Sequence, residues 1–286
     1  MKRAAIVPLL AWSAFMMTAA PKILVHGHRG ARAMRPENTL PAFEYAIGIG
    51  ADVLELDMAV TKDNVIVVSH DPYLEFPVCS GPSGWFAKAT IHQLTLAEVK
   101  QWDCGKIQNP LFLKQTPIPG TRVPTLDEVF TMAEAKSGTV QFNIETKSFQ
   151  DRPELTPAPE EFSRMVLEIV RKHKLEKRVL LQSFDFRTLH AMKKLAPEIR
   201  LVALWEGADR DFVAITREAG ADIISPAYRL VTPEKVRAAH DAGIEVVPWT
   251  ADRPADWDKL IAAQVDAIIT DDPAELIAYL KSRGLR

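Results

Sequence analysis

Charge imbalance is what this chain of 286 residues most plainly lacks, with 35 basic residues against 37 acidic ones. That balance leaves no electrostatic footprint for nucleic acid as a partner, and without a long run of like charge nothing reads as a disordered tail. Low-complexity tracts are missing, and so is any internal repeat beyond an alternation of short elements. Cysteine is scarce too. Cys79 and Cys104 are the only two. In an oxidising compartment they would fit a single disulfide, and two unpaired thiols in an insertion fit equally well. Long hydrophobic runs are absent after residue 20.

Before residue 20 there is one. Lys2 and Arg3 precede an uncharged stretch from Ala4 to Ala20 that ends in small residues. A basic start, an apolar middle and a small-residue end define a secretory signal peptide over 1–20, with an exported, periplasmic or secreted chain over 21–286. An uncleaved anchor is the alternative, because Pro21 follows the expected cut, although the run is short for a membrane span. After cleavage no stable span is expected.

The whole chain is 47% hydrophobic and 25% charged, the proportions of a globular protein with ample core. Short apolar runs follow one another: "KILVHGH", "DVLELDM", "VIVVSH", "VQFNIET", "RVLLQSF", "IRLVALW", "ADIISP", "IEVVPWT" and "DAIIT". Amphipathic stretches separate most of them, at 39–49, 125–136, 159–174, 185–196, 209–219, 232–242, 254–263 and 273–283. Alternating strands and helices mean βα units around a parallel sheet. Nine strands is one too many for a closed eight-stranded barrel. "DVLELDMAV" and "VIVVSH" are separated only by "TKDN", too short for a parallel crossover, so they form an antiparallel hairpin. The expectation is a (β/α)8 TIM barrel with an extra hairpin strand folded over its mouth. Residues from about 72 to 124, rich in proline and glycine, read as an insertion over that mouth, with only "TLAEVKQW" helical.

Barrel active sites lie at the C-terminal ends of the strands. There the first strand ends in His26, His28 and Arg29, and the second carries Glu55 and Asp57 on one face. "VQFNIETK" places Gln141, Asn143, Glu145 and Lys147 at one parity. Three converging carboxylates repel one another unless a cation lies among them, and oxygen donors suit Ca²⁺ or Mg²⁺. Were Asp63 and Asn64 the two central turn residues, Asp57 and His70 would be cross-strand neighbours. A histidine beside a metal-binding carboxylate is a good general acid or base. Alone, "SHD" would read as a turn; the register favours function.

The stretch "HRGARAMRPENTLPAFEYAIGIGADVLELDMAVTKDNVIVVSHDP", with "FNIETK", "QSFD", "WT" and "DAIITDDP" further on, closely resembles the glycerophosphodiester phosphodiesterase family from about residue 24 to 283. The resemblance implies a TIM barrel that hydrolyses glycerophosphodiesters to glycerol 3-phosphate and an alcohol, or, as the alternative, acts on lysophospholipids as a phospholipase D. It further implies that Glu55, Asp57 and Glu145 hold one divalent cation, that His28 and His70 are the acid–base pair, that Arg29 and Lys147 hold phosphate, and that Trp249 lines the pocket. In two places this chain departs from the pattern. His26 precedes the motif and reads as a packed strand histidine. Ala251-Asp252 replaces a pair that more usually ends in asparagine, on the glycerol side of the pocket that the resemblance implies. Phe76, Trp85, Phe86 and Phe112 in the insertion would either pack it onto the barrel or meet an acyl chain.

A zinc amidohydrolase also begins with "HGH", but needs later strand-end histidines; His173, His190 and His240 fall in helical patterns and His92 in the insertion. A non-catalytic phosphodiester-binding protein of the same fold is disfavoured because the full set of ligands and both histidines are present.

Overall fold

The computed structural model describes residues 22–82 and 88–286. The expected signal segment, Trp85 and Phe86 lie outside the described residues.

All nine strand segments form. They are β1 (Leu24–Gly27), β2 (Val53–Val60), β3 (Ile66–Val68), β6 (Gln141–Thr146), β7 (Val179–Ser183), β8 (Arg200–Trp205), β9 (Ile223–Pro226), β10 (Glu245–Val246) and β11 (Ala267–Thr270), with a small pair, β4 (Tyr73–Leu74) and β5 (Ala89–Thr90), inside the insertion. The main sheet runs β10-β9-β8-β7-β6-β2-β1-β11, all parallel, while β3 pairs antiparallel with β2. The ends meet through backbone bonds from Asp266 N–H to Val246 O at 3.1 Å and from Ile269 N–H to Pro248 O at 3.0 Å. Pro248 has no N–H to give, which keeps β10 short.

Each barrel strand leads to a helix: Leu40–Gly48, Leu126–Lys136, Pro159–Lys172, Phe186–Leu195, Phe212–Ala219, Pro233–Asp241, Pro254–Ala262 and Pro273–Ser282. Thr125 and Glu128 close a capping box at the start of the second of these. Strand alternation divides the core. Outward residues such as Leu54, Leu56, Phe142 and Leu181 pack against Phe43, Phe130 and Phe162 of the helices. Inward residues Leu180, Val202, Ile223, Val247 and Ile269 fill the barrel's centre. Where inward positions turn polar, the site begins.

The hairpin corrects the expected register. Met58 faces Val68 and Val60 faces Ile66, so Asp57 stands opposite Ser69, whose N–H bonds Asp57 O at 3.0 Å; His70 is one residue further on. The cause is the turn. Thr61 N–H bonds Val65 O at 3.0 Å, leaving Lys62, Asp63 and Asn64 in the loop, with Asn64 left-handed at φ 59°. A three-residue loop ending in a left-handed residue is a standard hairpin closure, and asparagine tolerates that conformation.

In the insertion, Leu96–Val99 is the α-helical turn, and Cys79 and Cys104 are joined by a disulfide. Among the described residues, no helix is long and apolar enough to cross a membrane.

Candidate active site

The turn after β1 is built for close approach. His28 N–H bonds Thr270 O at 2.9 Å, Arg29 is left-handed at φ 49°, and Gly30 has φ 85°. A Cβ on Gly30 would lie 2.8 Å from Ala42 Cβ, so only glycine fits there. The chain then folds back on itself. Asn38 N–H bonds Arg29 O at 3.0 Å, and Asn38 Nδ2 donates to Asp57 Oδ2 at 2.8 Å. Arg29 donates its backbone N–H to Glu55 Oε2 at 2.8 Å and its Nη1 to Glu37 Oε1 at 2.6 Å. The "PENT" segment thus holds the guanidinium and one carboxylate from behind.

Glu55, Asp57 and Glu145 offer oxygens that all lie within 4.8 Å of one another, and all three residues are buried. Lys147 Nζ sits between two of them, 3.0 Å from Asp57 Oδ1 and 2.8 Å from Glu145 Oε1. Burial raises Asp57's proton affinity, but the charges of Lys147, His70 and Arg29 and the Asn38 hydrogen bond outweigh it and hold Asp57 well below the usual carboxylate range. Glu55 goes the other way: burial, then the Asp57 charge, push it well above. Its side-chain partners are neutral donors, the Arg29 N–H and Gln182 Nε2 at 2.7 Å. Burial also pushes Glu145 up, despite Lys147. A buried cluster short of positive charge, made only of hard oxygen donors, fits a bound divalent cation.

His28 Nδ1 lies 2.5 Å from Asp271 Oδ1, and Arg32 Nε donates to that same oxygen at 2.6 Å. Burial raises Asp271, but His28 and Arg32 more than reverse this and hold it far below its ordinary value. Being a carboxylate, Asp271 accepts from Nδ1–H, which leaves Nε2 as the free acceptor, 4.0 Å from Glu55 Oε2. Burial pushes the His28 imidazole down to about 4, against the pull of Asp271. His70 also faces the cleft, its Nδ1 3.0 Å from Asp71 Oδ1.

These residues open into one cleft of about 510 Å³. His28, Arg29, Glu55, Asp57, His70, Glu145, Lys147 and Trp249, every residue expected from the sequence, line it. Phe184, Leu204 and Ile269 join Trp249 on an apolar wall. Trp249 donates its Nε1–H to Ser225 O at 2.9 Å, and its ring meets Phe184 edge-on. Asp252 lies outside the lining: its Oδ1 accepts from Thr270 Oγ1 at 2.9 Å and from Asp271 N–H at 2.8 Å. His26 is buried in the barrel with Nδ1 unpartnered. Phe112 stacks on Arg32 at the rim, and Phe76 points outward, 71% exposed.

Sequence reasoning missed the roles of Asp271, Arg32, Glu37, Asn38 and Gln182. Gln182 carried a signal, a polar residue at inward parity in an apolar strand. Asp271 carried none beyond standing at a strand end.

Oxygen donors, a cationic pair and two carboxylate-backed histidines at a barrel mouth define a hydrolase of an anionic ester. The chain belongs to the glycerophosphoryl diester phosphodiesterase family, whose model matches residues 28–275, and this makes it a phosphoric diester hydrolase. It is 35% identical over 265 residues to a glycerophosphodiester phosphodiesterase of Caldanaerobacter subterraneus subsp. tengcongensis, covering 92% of this chain and 100% of the relative. Its fold is similar to that of a Silicibacter pomeroyi DSS-3 protein assigned as a glycerophosphoryl diester phosphodiesterase, with a TM-score of 0.86, 29% identity, and 92% and 95% of the two chains covered. It resembles in fold an Oleispira antarctica phosphodiesterase in complex with the product sn-glycerol-3-phosphate, with a TM-score of 0.77, 23% identity, and coverage of 91% and 97%.

Proposed function

We propose that the protein hydrolyses glycerophosphodiesters to glycerol 3-phosphate and an alcohol, with one divalent cation, Ca²⁺ or Mg²⁺, held by Glu55, Asp57 and Glu145. The observation that carries this reading is the meeting, in one cleft, of the carboxylate cluster with Arg29, Lys147, His28 and His70. When bound, the cation supplies positive charge against the phosphoryl oxygens. Arg29 and Lys147 hold the phosphate and offset the charge that builds on it. His28 Nε2 takes the proton from the hydroxyl that attacks phosphorus, while Asp271 steadies the imidazolium that results. That hydroxyl is either that of water or the substrate's own glycerol hydroxyl, whose cyclic phosphate water then opens. His70 gives a proton to the departing alkoxide as the P–O bond breaks. Trp249 and its apolar wall receive the carbon skeleton.

The apolar start of the chain and the Cys79–Cys104 disulfide support export to an oxidising compartment. A second reading, lysophospholipid hydrolysis, draws on the rim. Leu111 and Leu113 flank Phe112 there and are 81% and 89% exposed.

The test is a product screen across glycerophosphocholine, glycerophosphoethanolamine, glycerophosphoglycerol and lysophosphatidylcholine, with and without chelator. Glycerol 3-phosphate released from the first three supports the main reading. Turnover of lysophosphatidylcholine alone supports the second, and turnover of none overturns both.

A further inference from the structure

Among the described residues, His70 is the member of the proposed acid–base pair whose side chain no barrel residue holds by a hydrogen bond. His28 is fixed by Asp271 and by its backbone bond to Thr270. His70 follows the hairpin strand β3, and among the described residues its side-chain hydrogen-bond partner is Asp71, its own exposed neighbour in sequence. What stands behind it is the insertion.

That insertion has a core of its own. The hairpin's outer face, Ala59 and Val67, packs with Leu74, Ile91 and Val99, and Cys79 and Cys104 belong to the same cluster. The disulfide joins the segment that leaves His70 to the segment that returns towards the barrel, across a separation of 25 residues. Beside it, Ser80 and Asp103 exchange backbone hydrogen bonds of 2.8 and 3.0 Å, while Cys104 N–H bonds Thr121 O at 2.8 Å. A crevice of about 20 Å³ separates the disulfide from the catalytic loop, with both cysteines on its wall together with Glu37, Asn38, Ser69 and His70. So small a gap has room for about one water, so the disulfide and the His70 loop are nearly in contact. Glu37 and Asn38 share the crevice but are fastened from the barrel side, to Arg29 and Asp57. The backbone beside His70 is tied to β2 by Ser69 N–H, but among the described residues its imidazole has no hydrogen bond to the barrel.

We propose that the Cys79–Cys104 disulfide is a positioning element for His70, holding the insertion wall against which the imidazole keeps its place at the cleft. The inference rests on the reading of His70 as an acid–base residue. Neither cysteine belongs to the two cores of the barrel, and the metal-binding carboxylates stand on β2 and β6. Loss of the disulfide should therefore spare the cation site and the barrel while letting His70 drift. A displacement of about 1 Å in a catalytic group costs on the order of a hundredfold in rate.

A double-mutant cycle tests it. Wild type, Cys79→Ala/Cys104→Ala, His70→Ala and the combined triple variant are compared for kcat, KM, Tm and calorimetric Ca²⁺ and Mg²⁺ affinity. The expected result is a fall in kcat of about ten- to a hundredfold on removing the disulfide, with KM and cation affinity kept. In the His70→Ala background, removing the disulfide should cost nothing further. An unchanged kcat without the disulfide overturns the inference, and so does an equal loss in both backgrounds, which would place its effect elsewhere. Full activity in His70→Ala overturns the role of His70 itself, so the two failures are told apart. Should the alanine pair not fold, reduction of the folded wild-type protein and His70→Ala, with a thiol titration to show it complete, gives the same comparison.

Discussion

His28 Nδ1 and Asp271 Oδ1 meet at 2.5 Å across the seam where the first and last barrel strands pair, 243 residues apart in the chain. Arg32 shares that oxygen, so the carboxylate stays ionised and can only accept. This fixes the imidazole with Nε2 turned to the cleft. Asp271→Asn keeps the shape but offers an amide that can present N–H instead. We expect kcat to fall about a hundredfold or more with KM little changed, as removal of a histidine-orienting carboxylate does in other hydrolases. His28→Ala should lose about 10²–10⁴-fold. Steady-state kinetics beside thermal melts check both, and an active Asp271→Asn would refute the orienting role.

Chelation should abolish turnover, and Glu55→Gln, Asp57→Asn and Glu145→Gln should each weaken cation binding. Glu55 is the most telling of the three, because its partners in the protein are neutral donors while Asp57 and Glu145 share the Lys147 ammonium. Calorimetric titration with Ca²⁺ and Mg²⁺ reads the affinities. Full activity after dialysis against chelator would show that the carboxylates serve another purpose.

His26 provides a contrast within the same motif. It shares the parity of His28 but lies about 6–7 Å deeper, two residues at roughly 3.3 Å each. Burial lowers it to about 4, with Asp52 opposing only in part, so it is neutral in the folded protein at pH 7. The unfolded chain binds a proton there from about pH 6.5 downward and the folded chain resists until about pH 4, so stability falls as pH drops through that window. His26→Leu should flatten the decline between those limits, by up to roughly 3 kcal/mol, and alter kcat by less than about tenfold. Denaturant melts across pH 4–7 measure it. Loss of activity matching His28→Ala, at unchanged stability, would reverse the assignment.

Asp252 titrates in the opposite sense. Burial, then the Asp271 charge, raise it to about 6. The folded state therefore keeps its proton better than the unfolded chain does, and that preference is lost as pH rises through about 6. Asp252→Asn retains an oxygen for the Thr270 hydroxyl and the Asp271 N–H while removing the second negative charge. Its Tm should exceed that of wild type at pH 8, and the gain should vanish near pH 4. A lower Tm at pH 8 would count against the charge argument.

What could be read from the chain alone was whatever has a short period or a local cause. Apolar runs spaced by helix-length stretches specified eight βα units, because each strand must bury both faces. The four-residue gap after "DVLELDMAV" required a hairpin. Parity along "ELD" and "FNIETK" put Glu55, Asp57, Glu145 and Lys147 inside the barrel, since successive side chains alternate faces. The tertiary structure decided what depends on closure. Whether Asp57 would face Ser69 or His70 turned on one left-handed residue, Asn64, in a loop whose length could be divided two ways. Asp271 reaches His28 only because β11 closes on β1. Cys79 and Cys104 become partners only once the insertion has folded over the hairpin and buried them together. Those contacts join residues far apart in sequence, and no local pattern encodes their distance.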